Sequence, residues 1–140
     1  MAYRPPELIT SRHDVSTFRC RSTEQTEWLR RYARQSAAAN TTRVFVVTEH
    51  DHDRVIAYYA WCMAQVHVVD APERLRKGAG RYPEPVALLA RLGVNVDHER
   101  RGLGAALLQD VFARLLELSE AIGCRGLLVH AEPDEARGFY

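Results

Sequence analysis

Apolar residues follow two spacings along the chain, and each spacing predicts a different kind of element. Short runs of apolar and β-branched residues predict strands, and they lie at residues 7–10, 43–49, 54–69, 85–96 and 124–131. Helical spacing predicts one helix over residues 22–39 and a longer one from Leu103 to Ile122, with Gly123 as its C-cap. Because strands and helices do not alternate regularly, the pattern predicts an α/β (α+β) domain with a mainly antiparallel beginning.

Polar residues between these runs predict turns and caps. Ser22 and Gln25 have the spacing of a capping box at the start of the first helix. Residues 50–53, with the sequence HDHD, predict a solvated hairpin turn rather than a metal site, because they lie between two strands. Residues 70–85 contain three prolines and two glycines, and they predict a long, mobile loop. We therefore expect no metal ligands in the turn.

Composition limits the class of protein further. The chain has 140 residues, of which 46% are apolar, and this suits one domain with a buried core. No run approaches the ~18 apolar residues of a membrane span, and the N-terminal residues lack the pattern of a secretory signal. The three cysteines include no C-x-x-C pair. This pattern predicts neither a zinc site nor a disulfide framework, and it fits a cytoplasmic protein.

Positive charge is concentrated in two places, although the net charge is only +1. Lys77 is the only lysine, and all other basic side chains are arginines, which suit bidentate contacts with phosphate. Each cluster is either a solvated face or a contact surface for a polyphosphate. The first cluster is Arg30, Arg31 and Arg34, and the second is Arg74, Arg76, Lys77 and Arg81.

The stretch RLGVNVDHERRGLGAALL is the strongest candidate for chemistry. It does not match a P-loop, and a dinucleotide-binding fingerprint would need a third glycine at the position of Leu107. A strand, a short basic loop, G-x-G-A and a long helix instead fit a site in which free amides at a helix N-terminus bind a diphosphate. The alternative is a plain strand-to-helix turn, in which the glycines only allow positive φ.

The same stretch resembles the acetyl-coenzyme A loop of the GCN5-related N-acetyltransferase (GNAT) superfamily, Q/R-x-x-G-x-G/A. More narrowly, residues 8–140 resemble the acetyltransferase toxins of bacterial type II toxin–antitoxin modules. The segments that carry this resemblance are HDVSTFRC, WLRRYA, RVIAYYAW, PVALLARLGVNVDHERRGLGAALLQD and LLVHAEPDEARGFY. Glu99 occupies the Q/R position when it is counted from Gly102, whereas a register of Arg101, Gly104 and Ala106 restores the match.

The resemblance implies a GNAT fold, with a mixed, mostly antiparallel central sheet flanked by helices and a splayed strand pair at the acetyl-CoA site. Family members continue past the tyrosine of the last motif with more helix and two strands. We therefore expect residues 1–140 to form a single GNAT domain that is truncated at its C-terminus and lacks those strands.

The resemblance also implies roles for individual residues. Pantetheine would lie along Leu92, Val94 and Val96. A backbone N–H near Val94 or Asn95 would meet the carbonyl oxygen of the thioester, and Tyr140 would protonate the leaving thiolate. The main chain that would wrap the diphosphate comprises Arg100, Arg101, Gly102, Leu103, Gly104 and Ala105.

In function, the resemblance implies an acetyltransferase that acetylates the α-amino group of aminoacyl-tRNA and so blocks translation. The two basic clusters would then contact tRNA. The implied partners are an antitoxin with a ribbon-helix-helix domain and a second copy of the chain in a homodimer. Two alternatives stay open: a GNAT enzyme for a small amine or a protein N-terminus, and a non-catalytic module that binds coenzyme A or an antitoxin.

Overall fold

The computed structural model describes residues 2–66 and 83–129. Within these ranges, strands and helices occur in the order that the apolar pattern predicts. The strands are β1 (Glu7–Leu8), β2 (Arg43–Thr48), β3 (Val55–Val66), β4 (Glu84–Val94) and β5 (Leu127–Val129). The helices are α1 (Thr23–Arg31), α2 (Ala33–Ala38) and α3 (Leu103–Ala121).

The five strands form one sheet in the order β1-β2-β3-β4-β5. The first four run antiparallel to their neighbours, and β5 runs parallel to β4 because α3 carries the chain across between them. This arrangement confirms the predicted mixed, mostly antiparallel sheet flanked by helices. β3 and β4 share the longest pairing, which is interrupted by a bulge opposite the Ala60–Trp61 step.

Each face of the sheet is covered by helix. Along β2, Val44 and Val46 face the cluster under α1 and α2, whereas Phe45 and Val47 face the cluster under α3. Leu29 in one cluster and Leu107 in the other are almost fully buried. A sheet that is buried on both faces explains why its strands are continuous apolar runs in the sequence.

The first helix begins as predicted but does not run as one piece. The Ser22 side chain accepts a hydrogen bond of 3.1 Å from the amide of Gln25, which confirms the N-cap. The expected single helix over residues 22–39 is wrong, because Tyr32 has a φ of −119° and separates α1 from α2. Tyr32 is 52% exposed, whereas Leu29 and Ala33 are buried.

A polar network holds α3 on the sheet. The hydroxyl of Tyr59 donates to Asp110 Oδ2 at 2.7 Å, and Arg114 Nε donates to the same oxygen at 2.8 Å. The Arg114 guanidinium also lies 4.0 Å from the centre of the Phe45 ring. Burial of Tyr59, reinforced by the Asp110 carboxylate, raises the pKa of the phenol well above its usual value, so the hydroxyl stays a donor.

The structure also bears on the predicted turn, the predicted loop, membrane spans and the cysteines. Residues 50–53 form a turn with Asp51 at a φ of 67°. The predicted loop over residues 70–85 lies mostly outside the described residues, and β4 begins earlier than expected, at Glu84. In the described parts of the chain, no helix combines the length and apolar character needed to cross a membrane. Cys62 and Cys124 are free thiols, and Cys20 is buried.

Gly93 lies in β4 at a point where the core leaves no room for a side chain. A Cβ there would lie 3.2 Å from Cys20 Sγ, 3.2 Å from Tyr58 Cε1 and 3.4 Å from Phe18 Cζ. Phe18 and Tyr58 pack edge to face, with ring centres 5.5 Å apart. Any added atom must therefore displace a packed aromatic pair.

We expect Gly93→Ala to lower the free energy of unfolding by about 1–3 kcal/mol, the usual cost of overpacking. Gly126→Ala is the matched control, because a Cβ at Gly126 meets no atom within 4 Å. The control should change stability by less than about 0.5 kcal/mol. Urea denaturation of both variants measures the difference, and equal stabilities would contradict the crowding at Gly93.

Candidate functional site

The loop between β4 and α3 is built from tight local hydrogen bonds. Asn95 Oδ1 accepts from the amide of Asp97 at 3.0 Å and caps a short 3₁₀ helix, Val96–His98. Two residues of the loop then adopt positive φ, Arg100 at 62° and Gly102 at 80°. Gly102 is the N-cap of α3, and a glycine there removes the strain that an L side chain would cause.

The first turn of α3 leaves amide donors available. The amide of Ala106 donates to the Gly102 carbonyl at 3.0 Å and is the first to close a helical hydrogen bond. The amides of Leu103, Gly104 and Ala105 precede it and have no acceptor among the described residues. No side chain caps this end. Three amides and the positive end of a 19-residue helix therefore suit an anion such as a diphosphate.

Beside this helix end, β4 has an edge whose backbone groups pair with no described strand. The amide of Asn95 donates to the Ile56 carbonyl at 2.8 Å on the β3 side. Because antiparallel pairing alternates, the amides and carbonyls of Val94 and Leu92 point to the other side. β5 pairs with β4 only at Ala87, Leu88 and Leu89 within the described residues. The Leu92–Val94 edge can therefore pair with an extended, amide-containing ligand.

Two predicted site residues do not fit the roles expected of them. Val96 lies outside β4, in the 3₁₀ helix, and its amide donates to the Arg19 carbonyl at 2.9 Å. The prediction that Val96 extends the pairing strand is therefore wrong. The backbone amide of Asn95 donates to Ile56, so Asn95 offers no free backbone N–H for an oxyanion. Of the two predicted donors, only the amide of Val94 faces the free edge.

The two arginines of the loop differ in their surroundings. Arg101 Nη1 donates to the Tyr3 hydroxyl at 2.9 Å, although the two residues are far apart in sequence. Arg100 is exposed and makes no hydrogen bond or ion pair within the described ranges. Glu99, at the motif's Q/R position, forms an ion pair of 2.8 Å with Arg21. Arg101 is thus hydrogen-bonded to the protein, whereas the Arg100 side chain is exposed to solvent.

The first basic cluster borders a mixed-charge cavity of about 340 Å³. Arg34 donates to the carbonyl of His13, and Arg31 lies 3.4 Å from a carboxylate oxygen of Glu27. Hydrogen bonds from Ser16 hold the pKa of the nearby Asp14 below its usual value. Arg30 is exposed and has no such partner in the described part of the chain. The cluster therefore offers Arg30 and Arg31 to a phosphate more readily than Arg34.

Some predicted residues cannot be placed in this site. The expected catalytic acid and the whole second basic cluster lie outside the described residues; they are Tyr140, Arg74, Arg76, Lys77 and Arg81.

A group of polar residues behind the loop was not predicted from the sequence. Tyr3, His98 and Glu49 form a connected polar chain that reaches Arg101. No local pattern marks this group, because its members come from three separate segments of the sequence.

Comparison with known proteins identifies the family and the fold. Residues 12–140 match the acetyltransferase (GNAT) family. The chain therefore belongs to that family, and the predicted enzyme class, an N-acetyltransferase, is confirmed. Over 138 residues it is 37% identical to a tRNA-acetylating toxin of Mycobacterium tuberculosis (strain ATCC 25618 / H37Rv), covering 99% of this chain and 81% of the relative.

Solved structures show the same fold. A crystal structure of a KacT mutant matches with a TM-score of 0.91 at 21% identity, covering 99% of this chain and 84% of KacT. AtaT in complex with acetyl-methionyl-tRNAfMet matches with a TM-score of 0.88 at 21% identity, covering 99% of this chain and 83% of AtaT. The expected GNAT fold is therefore confirmed.

We expect Gly104→Asp to weaken acetyl-CoA binding by at least roughly a hundredfold, because it places a carboxylate beside the amides that would meet a diphosphate. The same carboxylate lies at a helix N-terminus, where it favours the helix, so the melting temperature should not fall. Gly104→Ala is the control without charge and should lose much less affinity. Calorimetric titration gives the affinities, and unchanged binding in Gly104→Asp would contradict the loop assignment.

Proposed function

We propose that this protein is an acetyl-CoA-dependent toxin that acetylates the α-amino group of aminoacyl-tRNA and so blocks translation. The observation that carries the proposal is the free start of α3 beside the free Leu92–Val94 edge, in a chain 37% identical to a tRNA-acetylating toxin. The non-catalytic alternative is less well supported, because a module that only binds coenzyme A would not explain the 37% identity to a tRNA-acetylating toxin.

The described residues fit acetyl-CoA in two places. The amides of Leu103, Gly104 and Ala105 bind the diphosphate, and the exposed Arg100 lies next to them to offset its charge. The backbone of Leu92 and Val94 pairs with the amides of pantetheine in the manner of an added strand. When bound, acetyl-CoA supplies an activated acetyl thioester at this edge.

The chain's residues then serve acyl transfer. A bond forms between the amine nitrogen and the acetyl carbon, the carbon–sulfur bond breaks, the amine loses a proton, and the thiolate gains one. The Val94 amide points to the free edge and is placed to donate to the carbonyl oxygen of the thioester. Tyr140 supplies the proton for the thiolate, as the family resemblance implies.

The chemistry of the amine favours an α-amino acceptor. A free α-amine has a pKa of about 7.7–8.0, so a sizeable fraction is neutral and nucleophilic near pH 7. A lysine side chain, with a pKa of about 10.4, would need a strong general base. Of the carboxylates in the loop after β4, Glu99 is paired with Arg21 and Asp97 is exposed, so neither is a desolvated general base. An aminoacyl ester therefore suits this site better than a lysine.

We infer that the two basic clusters bind the tRNA backbone. Arg30 and Arg31 lie on the exposed side of α1, where they can reach phosphates without a change in the core. The role of the second cluster, at residues 74–81, stays a prediction.

Partners and location are part of the same proposal. AtaT has been solved as a complex with AtaR bound to DNA, which supports a DNA-binding antitoxin as the partner of this chain. We infer a ribbon-helix-helix domain in that antitoxin, a homodimer of this chain, and action in the cytoplasm, where aminoacyl-tRNA is consumed.

We expect mass spectrometry of aminoacyl-tRNA, incubated with the protein and acetyl-CoA, to show a single added acetyl group on the amino acid. Tyr140→Phe should lower kcat by about 10²–10⁴-fold, because it removes the general acid, and leave the acetyl-CoA KM near the wild-type value. Expression of the wild type should arrest growth, and the variant should relieve the arrest. Acetylation of a small amine or a protein N-terminus, with unmodified tRNA, would favour the alternative enzyme.

We expect the double variant Arg30→Gln, Arg31→Gln to bind tRNA less tightly and with a weaker dependence on salt. Each lost phosphate contact should reduce the slope of log K against log salt by about 0.7–0.9. Arg30→Lys, Arg31→Lys keeps both charges and is the matched control. Filter binding over a series of salt concentrations measures the slopes, and identical slopes in the two double variants would show that this cluster is only a solvated face.

A further inference from the structure

The Tyr3 hydroxyl joins the N-terminal segment to the loop that precedes α3. It lies 2.9 Å from Arg101 Nη1 and 2.8 Å from His98 Nδ1. The tyrosine ring also packs edge to face on the His98 imidazole, with ring centres 5.7 Å apart. We propose that Tyr3 is a positioning residue for acetyl-CoA, which acts through Arg101 and His98 to hold the diphosphate-binding loop in its binding shape. This inference rests on the diphosphate site of the proposed function.

The direction of these hydrogen bonds follows from their chemistry. A guanidinium only donates, so the Tyr3 oxygen accepts from Arg101. Glu49 Oε1, which can only accept, lies 3.6 Å from His98 Nε2, so in the neutral imidazole the proton is best placed on Nε2. In that tautomer Nδ1 accepts from the Tyr3 hydroxyl, and each group in this chain has one role.

Tyr3 is itself firmly held. The carbonyl of Ala2 accepts from the His50 amide at 2.8 Å, and the Arg4 amide donates to the Thr48 carbonyl at 2.9 Å. Tyr3 forms a β-bridge with Glu49 between these two bonds. Its ring is partly buried against the cluster under α3. The hydroxyl is therefore presented from a fixed backbone rather than from a free terminus.

Other contacts fix the earlier part of the loop but not its last turn. Val96 is held by the Arg19 carbonyl, and Glu99 by the Arg21 side chain. Arg101 follows these anchors and directly precedes Gly102, where the left-handed turn sets the direction of the free amides. Tyr3 is the only hydrogen-bond partner of the Arg101 side chain in the described ranges. Tyr3 therefore holds the last turn before α3 through its hydrogen bond with Arg101.

A loop that is already ordered loses less conformational entropy when a ligand binds. Tyr3→Phe removes one oxygen atom and keeps the ring. We expect the variant to raise the acetyl-CoA Kd by roughly tenfold, the effect of one hydrogen bond to a charged group. The acetyl-CoA KM should rise in parallel with kcat nearly unchanged. Tyr32→Phe, at an exposed tyrosine away from the loop, is the matched control and should keep the wild-type Kd.

Two variants of His98 separate positioning from mere stability. His98→Asn keeps an acceptor oxygen near the position of Nδ1 and should bind acetyl-CoA almost as the wild type does. His98→Leu removes the acceptor and should weaken binding about as much as Tyr3→Phe, and the double variant Tyr3→Phe, His98→Leu should lose little more than either alone. Thermal unfolding confirms that each variant is folded at the titration temperature.

The outcomes are distinguishable. If wild-type protein does not bind acetyl-CoA in the calorimeter, the diphosphate site itself is wrong. If the wild type binds and Tyr3→Phe binds equally well, the positioning role of Tyr3 is overturned. It is also overturned if His98→Asn and His98→Leu lose affinity equally, or if the effects of Tyr3→Phe and His98→Leu simply add.

Discussion

The left-handed backbone of Gly102 determines where α3 begins, and the rest of the site depends on that point. From Gly102 onward, the helix closes its first hydrogen bond at Ala106 and leaves three amides open. The axis of α3 is fixed independently, because Leu107 and Val111 are buried in the core and Asp110 bonds to Tyr59. A core-packed helix thus aims its positive end at one place, and the loop before it keeps the amides of the first turn accessible.

β4 packs in the core and also exposes backbone groups that can bind a ligand, and these two roles usually conflict. Its side chains complete both cores, with Leu89 buried on one face and Gly93 on the other. Its backbone beyond the bulge remains unpaired by β5 within the described residues and can receive a ligand. The side chains on this strand can therefore be optimised for packing, while the main chain stays available for recognition. This division explains why the strand is so apolar although it borders the candidate active site.

Local patterns in the sequence were enough to predict most of the helices and strands and part of the site. β2, β3, α3 and the Ser22 cap follow from spacing and capping chemistry, which depend on neighbouring residues. The break at Tyr32 could not be predicted, because the exposed face of a helix tolerates many residues. The hydrogen bonds of Asn95 and Val96, and the contact of Tyr3 with Arg101, join segments that only the fold brings together. The roles of individual site residues came from family resemblance, and the structure revised two of them.

The anchoring of the loop from both sides has a kinetic consequence. Because Arg19 and Arg21 hold one flank and Tyr3 the other, the described loop around Gly102 is already ordered before a coenzyme enters. Association should then be governed by diffusion and by the attraction of the exposed Arg100, and dissociation should account for most differences among ligands. The lifetime of the complex would then determine how long a bound acetyl group is available to its acceptor.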